Sequence, residues 1–312
     1  MSGLIITHHA AGEHQVPIGH PERPARYAAV MNGISRLDEL DRHIEAEPAT
    51  RAQLEYIHTP EYLDEICRLA SDADSTQTLT QLDADTWAGT GSLDAALRGA
   101  GAGCMAVDHV LSGQADFAFS AMRPPGHHAE PDKAMGFCLF SNAAIAAEHA
   151  RQKWGLENVA VLDFDVHHGN GTQAAFWDRQ GLFYASSHQM PLYPGSGHAD
   201  ETGEYQNIFN MPLNDGEDGT AFLAAWSGSL LPQIRDASPE LIIISAGFDA
   251  HKLDPLAGLE LSVSDFGEVT KYIAELADRL CGGRVVSMLE GGYHLEALTD
   301  CTESHLSALL GR

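Results

Sequence analysis

The stretch Val159-Ala-Val-Leu-Asp163-Phe-Asp165-Val-His167-His168-Gly-Asn170-Gly-Thr172 decides the fold and locates the chemistry. An apolar run of strand character dissolves into charged and ligating groups at alternate positions. Side chains alternate faces along a strand. Asp163, Asp165 and His167 therefore fall on one face, with neighbours two apart spaced about 7 Å. Three adjacent polar groups at the end of a buried strand are costly to desolvate without partners. A divalent metal would compensate that cost.

Four other runs follow the same pattern. Phe117-Ala-Phe-Ser-Ala-Met-Arg-Pro-Pro-Gly126 leads into His127-His128. Leu182-Phe-Tyr-Ala185 leads into Ser186-Ser187-His188. Leu241-Ile-Ile-Ile-Ser-Ala-Gly-Phe248 leads into Asp249. Val285-Val-Ser-Met-Leu-Glu-Gly-Gly292 leads into Tyr293. In an open α/β sheet, ligands bind beyond the carboxyl ends of parallel strands. Five runs with polar groups at that same end argue for one shared site.

Between these runs the pattern reads as helices. Strands are predicted at 4–8, 117–122, 159–165, 182–187, 241–246 and 284–289. Helices are predicted at 24–37, 60–71 (opened by Thr59-Pro60), 92–112 (capped by Ser92), 141–153, 172–178, 219–236, 264–281 and 295–310. A long loop, 188–206, is rich in Pro, Gly and His, and loops of that length are often functional. Strand–helix alternation implies a parallel sheet with helices on both faces. No linker, repeat or low-complexity block divides residues 1–312, which read as a single domain at the upper edge of domain size.

Eighteen basic and 44 acidic residues give a net charge of −26. That balance excludes nucleic acid and anionic membrane as partners, because phosphate contacts need clustered Lys and Arg. A solvated acidic surface accounts for it, and attraction of a cationic substrate is the functional alternative. The five cysteines include no C-x-x-C pair and read as free thiols of a reducing cytoplasm. The N-terminus lacks a basic segment followed by an apolar one, so no secretory signal is expected. No run approaches membrane-span length.

The residue types suggest roles. Asp165, His167 and Asp249 form a three-ligand set that leaves a position open, as catalytic zinc sites do. His168 has the opposite strand parity and reads as a structural hydrogen-bonding group. His127-His128, on a loop stiffened by two prolines, suit acid–base work near neutral pH. Tandem histidines also occur on surfaces, and His8-His9 is such a pair. Asp163 has the parity to orient one histidine of the loop, and Asn170 is placed to orient the other. Tyr293, after two glycines, offers a phenol to an oxyanion or merely packs. Gly136-Phe137 and Tyr193-Pro194-Gly195 put aromatics beside the site, as channel walls or as packing.

These strings are similar to the histone deacetylase family, in its class II-like bacterial branch. The matching segments are Arg123-Pro-Pro-Gly-His-His-Ala129, Gly136-Phe-Cys138, Asp163 to Gln173, Pro194-Gly-Ser-Gly197, Ala246-Gly-Phe-Asp249, Asp254-Pro255, Glu290-Gly-Gly-Tyr293, and His20-Pro-Glu22 with Arg26. The resemblance covers nearly the whole chain. It implies the arginase–deacetylase fold, a three-layer α/β sandwich with an eight-stranded parallel sheet between helices. It implies Zn2+ on Asp165, His167 and Asp249, with His128 as general base and then acid. His127 is then the partner histidine paired with Asp163, Asn170 the class II residue of the dyad, and Tyr293 the oxyanion donor. Some class II members carry His at that last position and are nearly silent on acetyl-lysine; Tyr implies activity. Asp83 resembles the rim aspartate that holds substrate backbone. Phe137 and Tyr193 match the channel walls, Phe being more usual at the second. Leu256 falls where polyamine-selective relatives place an acidic gatekeeper. A structural K+ is implied on Asp163, Asp165, His167 and Ser186, with the Ser187 carbonyl.

The implied activity is zinc-dependent amide hydrolysis that removes acetyl or another acyl group from N-ε-acyl-lysine, on a peptide or a similar small amine. Deacetylation of acetylpolyamines or other small amides is the alternative. A two-manganese ureohydrolase on this fold would want an Asp-x-Asp pair, and Ala250 and His251 stand where it would end. A binding module for acylated lysine would not need Tyr293 and His128. A homo-oligomer remains open.

Overall fold

The computed structural model describes residues 2–311. Its centre is an eight-stranded parallel sheet in the order β2 (His43–Glu45), β1 (Gly3–Thr7), β5 (Phe117–Ser120), β10 (Val285–Leu289), β9 (Leu241–Ala246), β6 (Val159–Asp163), β7 (Leu182–Gln189) and β8 (Ile208–Leu213). A separate antiparallel pair, β3 (Thr80–Gln81) with β4 (Trp87–Ala88), forms a small hairpin. The central strands are apolar without alternation because both faces are covered. Val161, Ile243 and Val286 pack into one core with helices Ser92–Leu111 and Asn142–Trp154. Leu162, Ile244 and Val285 pack into another, with helices Val263–Cys281 and Leu295–Leu310. This is the expected three-layer sandwich.

Strand order explains why distant segments meet. After β5 the chain leaves for β6, β7 and β8, then returns to insert β9 and β10 between β6 and β5. The carboxyl ends of β5, β10, β9 and β6 are thus adjacent, at the crevice where the connection order reverses.

Several predicted elements change on inspection. Strand β6 stops at Asp163, so Asp165 and His167 lie beyond it rather than on a pleated face. Edge strands β2 and β8 escape the sequence pattern: one is three residues long and the other carries Asn210 and Pro212. The helix predicted at 172–178 spans Asn170–Phe176, and that at 24–37 only Ala25–Ile34. The helix predicted at 60–71 continues to Thr76. The segment 219–236 is two helices joined by a π-helical turn, Trp226–Leu230. Ser92 is not a cap. Gly91 holds that position, and the Ser92 hydroxyl accepts the Gly89 N–H and meets His14 Nδ1 at 2.6 Å. No helix of the described residues is long and apolar enough to cross a membrane.

Candidate active site

Asp165, His167 and Asp249 are all buried, and each offers one ligand atom within 4.8 Å of the others. His167 Nδ1 lies 3.2 Å from both Asp165 Oδ1 and Asp249 Oδ2. Backbone N–H groups hold the carboxylates: Val166 donates to Asp249, and Gly291 and His167 donate to Asp165. A Cβ on Gly247 or Gly291 would collide with these carboxylates, so the two glycines form a cradle that admits the cluster. Burial, then the Asp165 charge, raises the Asp249 pKa. Burial opposes a charge on His167, yet hydrogen bonds to Asp165 and Asp249 push it up to about 10. The cluster sets one imidazole against two facing carboxylates. A divalent cation fits the same place, and the donor set of two carboxylates and one imidazole suits it.

The loop after β5 brings in the tandem histidines. His127 Nδ1 is 3.0 Å from Asp163 Oδ2, which also accepts the Tyr184 hydroxyl at 2.9 Å. Burial opposes charge on His127, but Asp165 and Asp163 carry its pKa well above the ordinary imidazole value. His128 Nδ1 is 2.8 Å from Asn170 Oδ1. Burial, then the neighbouring His127 and His167, hold its pKa well below the ordinary value. His128 is therefore the neutral imidazole of the pair. The loop is pinned from beneath by Glu290, whose carboxylate accepts the N–H groups of Gly126 (2.7 Å) and His127 (3.1 Å) and the Ser245 hydroxyl. Burial raises the Glu290 pKa to about 7.

Tyr293 follows β10. Its backbone N–H donates to Asp254 Oδ2 at 2.7 Å, and the Arg26 guanidinium lies 4.9 Å from its ring centroid. Arg26 also donates to the carbonyls of Gly292 and Glu290. Buried Glu22 joins Arg26 to Arg123, so the N-terminal motif braces the loops after β5 and β10 together.

A cavity of about 220 Å³ descends to this constellation, lined by Asp85, His128, Gly136, Phe137, His167, Leu192, Tyr193, Leu256 and Tyr293. The Phe137 and Tyr293 rings meet edge to face at 5.8 Å, and those of His128 and Tyr193 at 5.2 Å. Gly136, Phe137, Tyr193 and Leu256 line this cavity. Asp83 does not. It faces Lys133 Nζ at 3.5 Å and lies outside the cavity. Asp85, two residues on, takes the rim: the hairpin turn aims its Oδ1 at the Gly136 N–H, at 3.2 Å, while Thr86 Oγ1 accepts the Phe137 N–H at 3.0 Å. Both aspartates share the string Leu82 to Thr86 and the same parity, so only the turn separates them. His168 sits apart from the cavity, bonded to Ser196 and Gln173.

Asp163 and Ser186 pair in register on β6 and β7. The Ser186 hydroxyl meets His188 Nδ1 at 2.9 Å, and the Ser187 hydroxyl accepts the Trp226 indole N–H. Sequence reading missed Asp85 and Leu192 at the cavity and Glu130 beside Asn170, which lies 2.7 Å from the Asn170 amide. Glu130 follows the tandem-histidine string directly, and that adjacency is the only signal the sequence carries for it.

Residues 20–309 match the histone deacetylase domain family. Histone deacetylase 10, chloroplastic, of Oryza sativa subsp. japonica is 36% identical over 325 residues, covering 99% of this chain and 73% of that protein. The histone deacetylase-like amidohydrolase of Pseudomonas aeruginosa is 37% identical over 321 residues, covering 97% and 83%. The crystal structure of the HDA15 HD domain superposes with a TM-score of 0.91 at 32% identity, covering 100% of this chain and 90% of that one. With its fold, its buried Asp-His-Asp cluster and these likenesses together, the chain belongs to the histone deacetylase family.

Proposed function

We propose that this protein is a zinc-dependent amidohydrolase that removes acyl groups, acetyl foremost, from N-ε-acyl-lysine or similar amides. The observation that carries the reading is the cavity that ends on His128, His167 and Tyr293, above the Asp165–His167–Asp249 cluster. Asp165, His167 and Asp249 would hold the zinc ion, which would supply Lewis acidity toward a carbonyl and a water. The chain's own groups do the rest. Asn170 Oδ1 accepts from His128 Nδ1–H, which leaves Nε2 as the free base. His128 takes a proton from the attacking water and returns it to the leaving amine. The Tyr293 phenol donates to the oxyanion. Asp163 holds His127 beside them. A structural K+ near Asp163, Asp165, His167, Ser186 and Ser187 belongs to the same reading.

The walls set the substrate class. Phe137, Leu192, Tyr193 and Leu256 give an apolar passage that suits a methylene chain, with Asp85 at its rim to meet substrate backbone. A protonated secondary amine inside it would be buried without a counter-charge, which is expensive. Asp254 lies next to Leu256 but is turned away, its oxygens occupied by the N–H groups of Tyr293, His294 and Leu256. The net charge of −26 favours acylated polyamines as the second reading, because it draws cations to the mouth.

Purified enzyme assayed against acyl-lysine peptides and acetylspermidine tests both. Chelation should abolish hydrolysis, and added zinc should restore it. The kcat/KM for an acetyl-lysine peptide should exceed that for acetylspermidine. Full turnover without metal, or two tightly bound manganese ions, would refute the mechanism. Preference for acetylspermidine over every acyl-lysine substrate would refute the substrate class.

A further inference from the structure

The two ends of the Asn170 side chain are alike in shape and opposite in chemistry. Oδ1 faces His128 Nδ1 at 2.8 Å, and Nδ2 faces the Glu130 carboxylate at 2.7 Å. A carboxylate only accepts and an amide NH2 only donates. The Glu130 contact therefore exists in one amide orientation alone. That orientation presents an oxygen to His128, so the imidazole proton sits on Nδ1 and Nε2 stays open as a base. The flipped amide would set its carbonyl against the carboxylate and its NH2 against His128. His128 would then carry its proton on Nε2, where a base must be empty. Two weaker acceptors, the His128 carbonyl at 3.4 Å and Met135 Sδ at 3.3 Å, also face Nδ2. Glu130 is the nearest and the only charged one.

Glu130 does not line the substrate cavity. It lines a separate cavity of about 470 Å³ with Asn170, Gln173 and Trp177, at the other end of the Asn170 amide. Its influence on chemistry runs through Asn170.

We propose that Glu130 is a positioning residue: it fixes the Asn170 amide and, through it, the tautomer of His128. The inference rests on the reading of His128 as the base. It is tested with Glu130→Ala and Glu130→Gln, each made in the native chain and in Asn170→Asp. In the native chain, Glu130→Ala should lower kcat by about 10-fold, the scale of losing an orienting outer partner, with KM little changed. Glu130→Gln should retain most of the activity, because its carbonyl can accept the same bond. In Asn170→Asp either carboxylate oxygen accepts from His128, so no orientation needs setting. There Glu130→Ala should cost nothing, or even raise activity, because it removes a carboxylate that faces the new one. Equal losses in both backgrounds would make Glu130 a fold residue and overturn the proposal. Nitrogen NMR of the His128 ring reads the tautomer without any substrate. The native protein should show protonated Nδ1 and open Nε2, and Glu130→Ala should gain the Nε2–H form. An unchanged tautomer in Glu130→Ala would overturn the proposal. Absence of amide turnover in the native enzyme would instead overturn the proposed function and leave the tautomer result standing.

Discussion

A single phenol oxygen separates Tyr293 from phenylalanine, and the proposed function gives that oxygen an oxyanion to stabilise. The ring is clamped between Phe137 and Arg26, and the backbone is tied to Asp254, so removing the hydroxyl disturbs neither. Tyr293→Phe should therefore lower kcat by about 10²–10³, the usual loss for one oxyanion donor. Metal content and melting temperature should stay at native values. Steady-state kinetics with metal analysis decides it, and near-native turnover would reduce the phenol to packing. Asp83 and Asp85 show how fine this scale is. They are equal in residue type and strand parity, yet one pairs with Lys133 and the other caps the Gly136 N–H.

Helix Ser92–Leu111 contains Gly99, Gly101 and Gly103, each of which weakens a helix by about 1 kcal/mol relative to alanine. Propensity alone makes Gly101→Ala a stabilising change. The structure reverses the sign. A Cβ at Gly101 would collide with the Glu47 carbonyl and the Ala49 N–H, both backbone groups that cannot step aside like a side chain. The chain after β2 lies directly on the helix there, and Ala49 N–H donates to the Leu97 carbonyl at 2.8 Å. Overpacking of a tight contact costs about 1–3 kcal/mol. Gly101→Ala should therefore lower the urea midpoint, corresponding to a net loss of up to about 2 kcal/mol once the propensity gain is subtracted. A raised midpoint would mean that the two segments separate at little cost.

For the whole molecule, the net charge of −26 acts on stability. Like charges repel in the compact state, and the repulsion is screened beyond about 10 Å at 0.1 M salt. Raising NaCl from a few millimolar to about 0.2 M should raise the melting temperature, with activity on a neutral peptide little affected. A falling melting temperature would show that the surface pairs, such as Arg36 with Asp300 and Glu303, outweigh the repulsion.

By itself the sequence determined the central strands, the parallel order of the layers and the five polar strand ends, because buried strands demand continuous apolar runs and turn residues punctuate them. It also singled out Asp165, His167 and Asp249, which the structure brings together as a buried cluster that could hold a metal ion. Edge strands β2 and β8 lacked that signal, being short or half polar. The tertiary structure alone decided which aspartate reaches the rim, that Glu290 and the Glu22–Arg26–Arg123 group brace the loops from below, and that Glu130 meets Asn170. Those contacts join segments up to 266 residues apart, as between Arg26 and Gly292. Periodicity and local spacing cannot encode them, because the strand insertion order of the sheet sets which loops become neighbours.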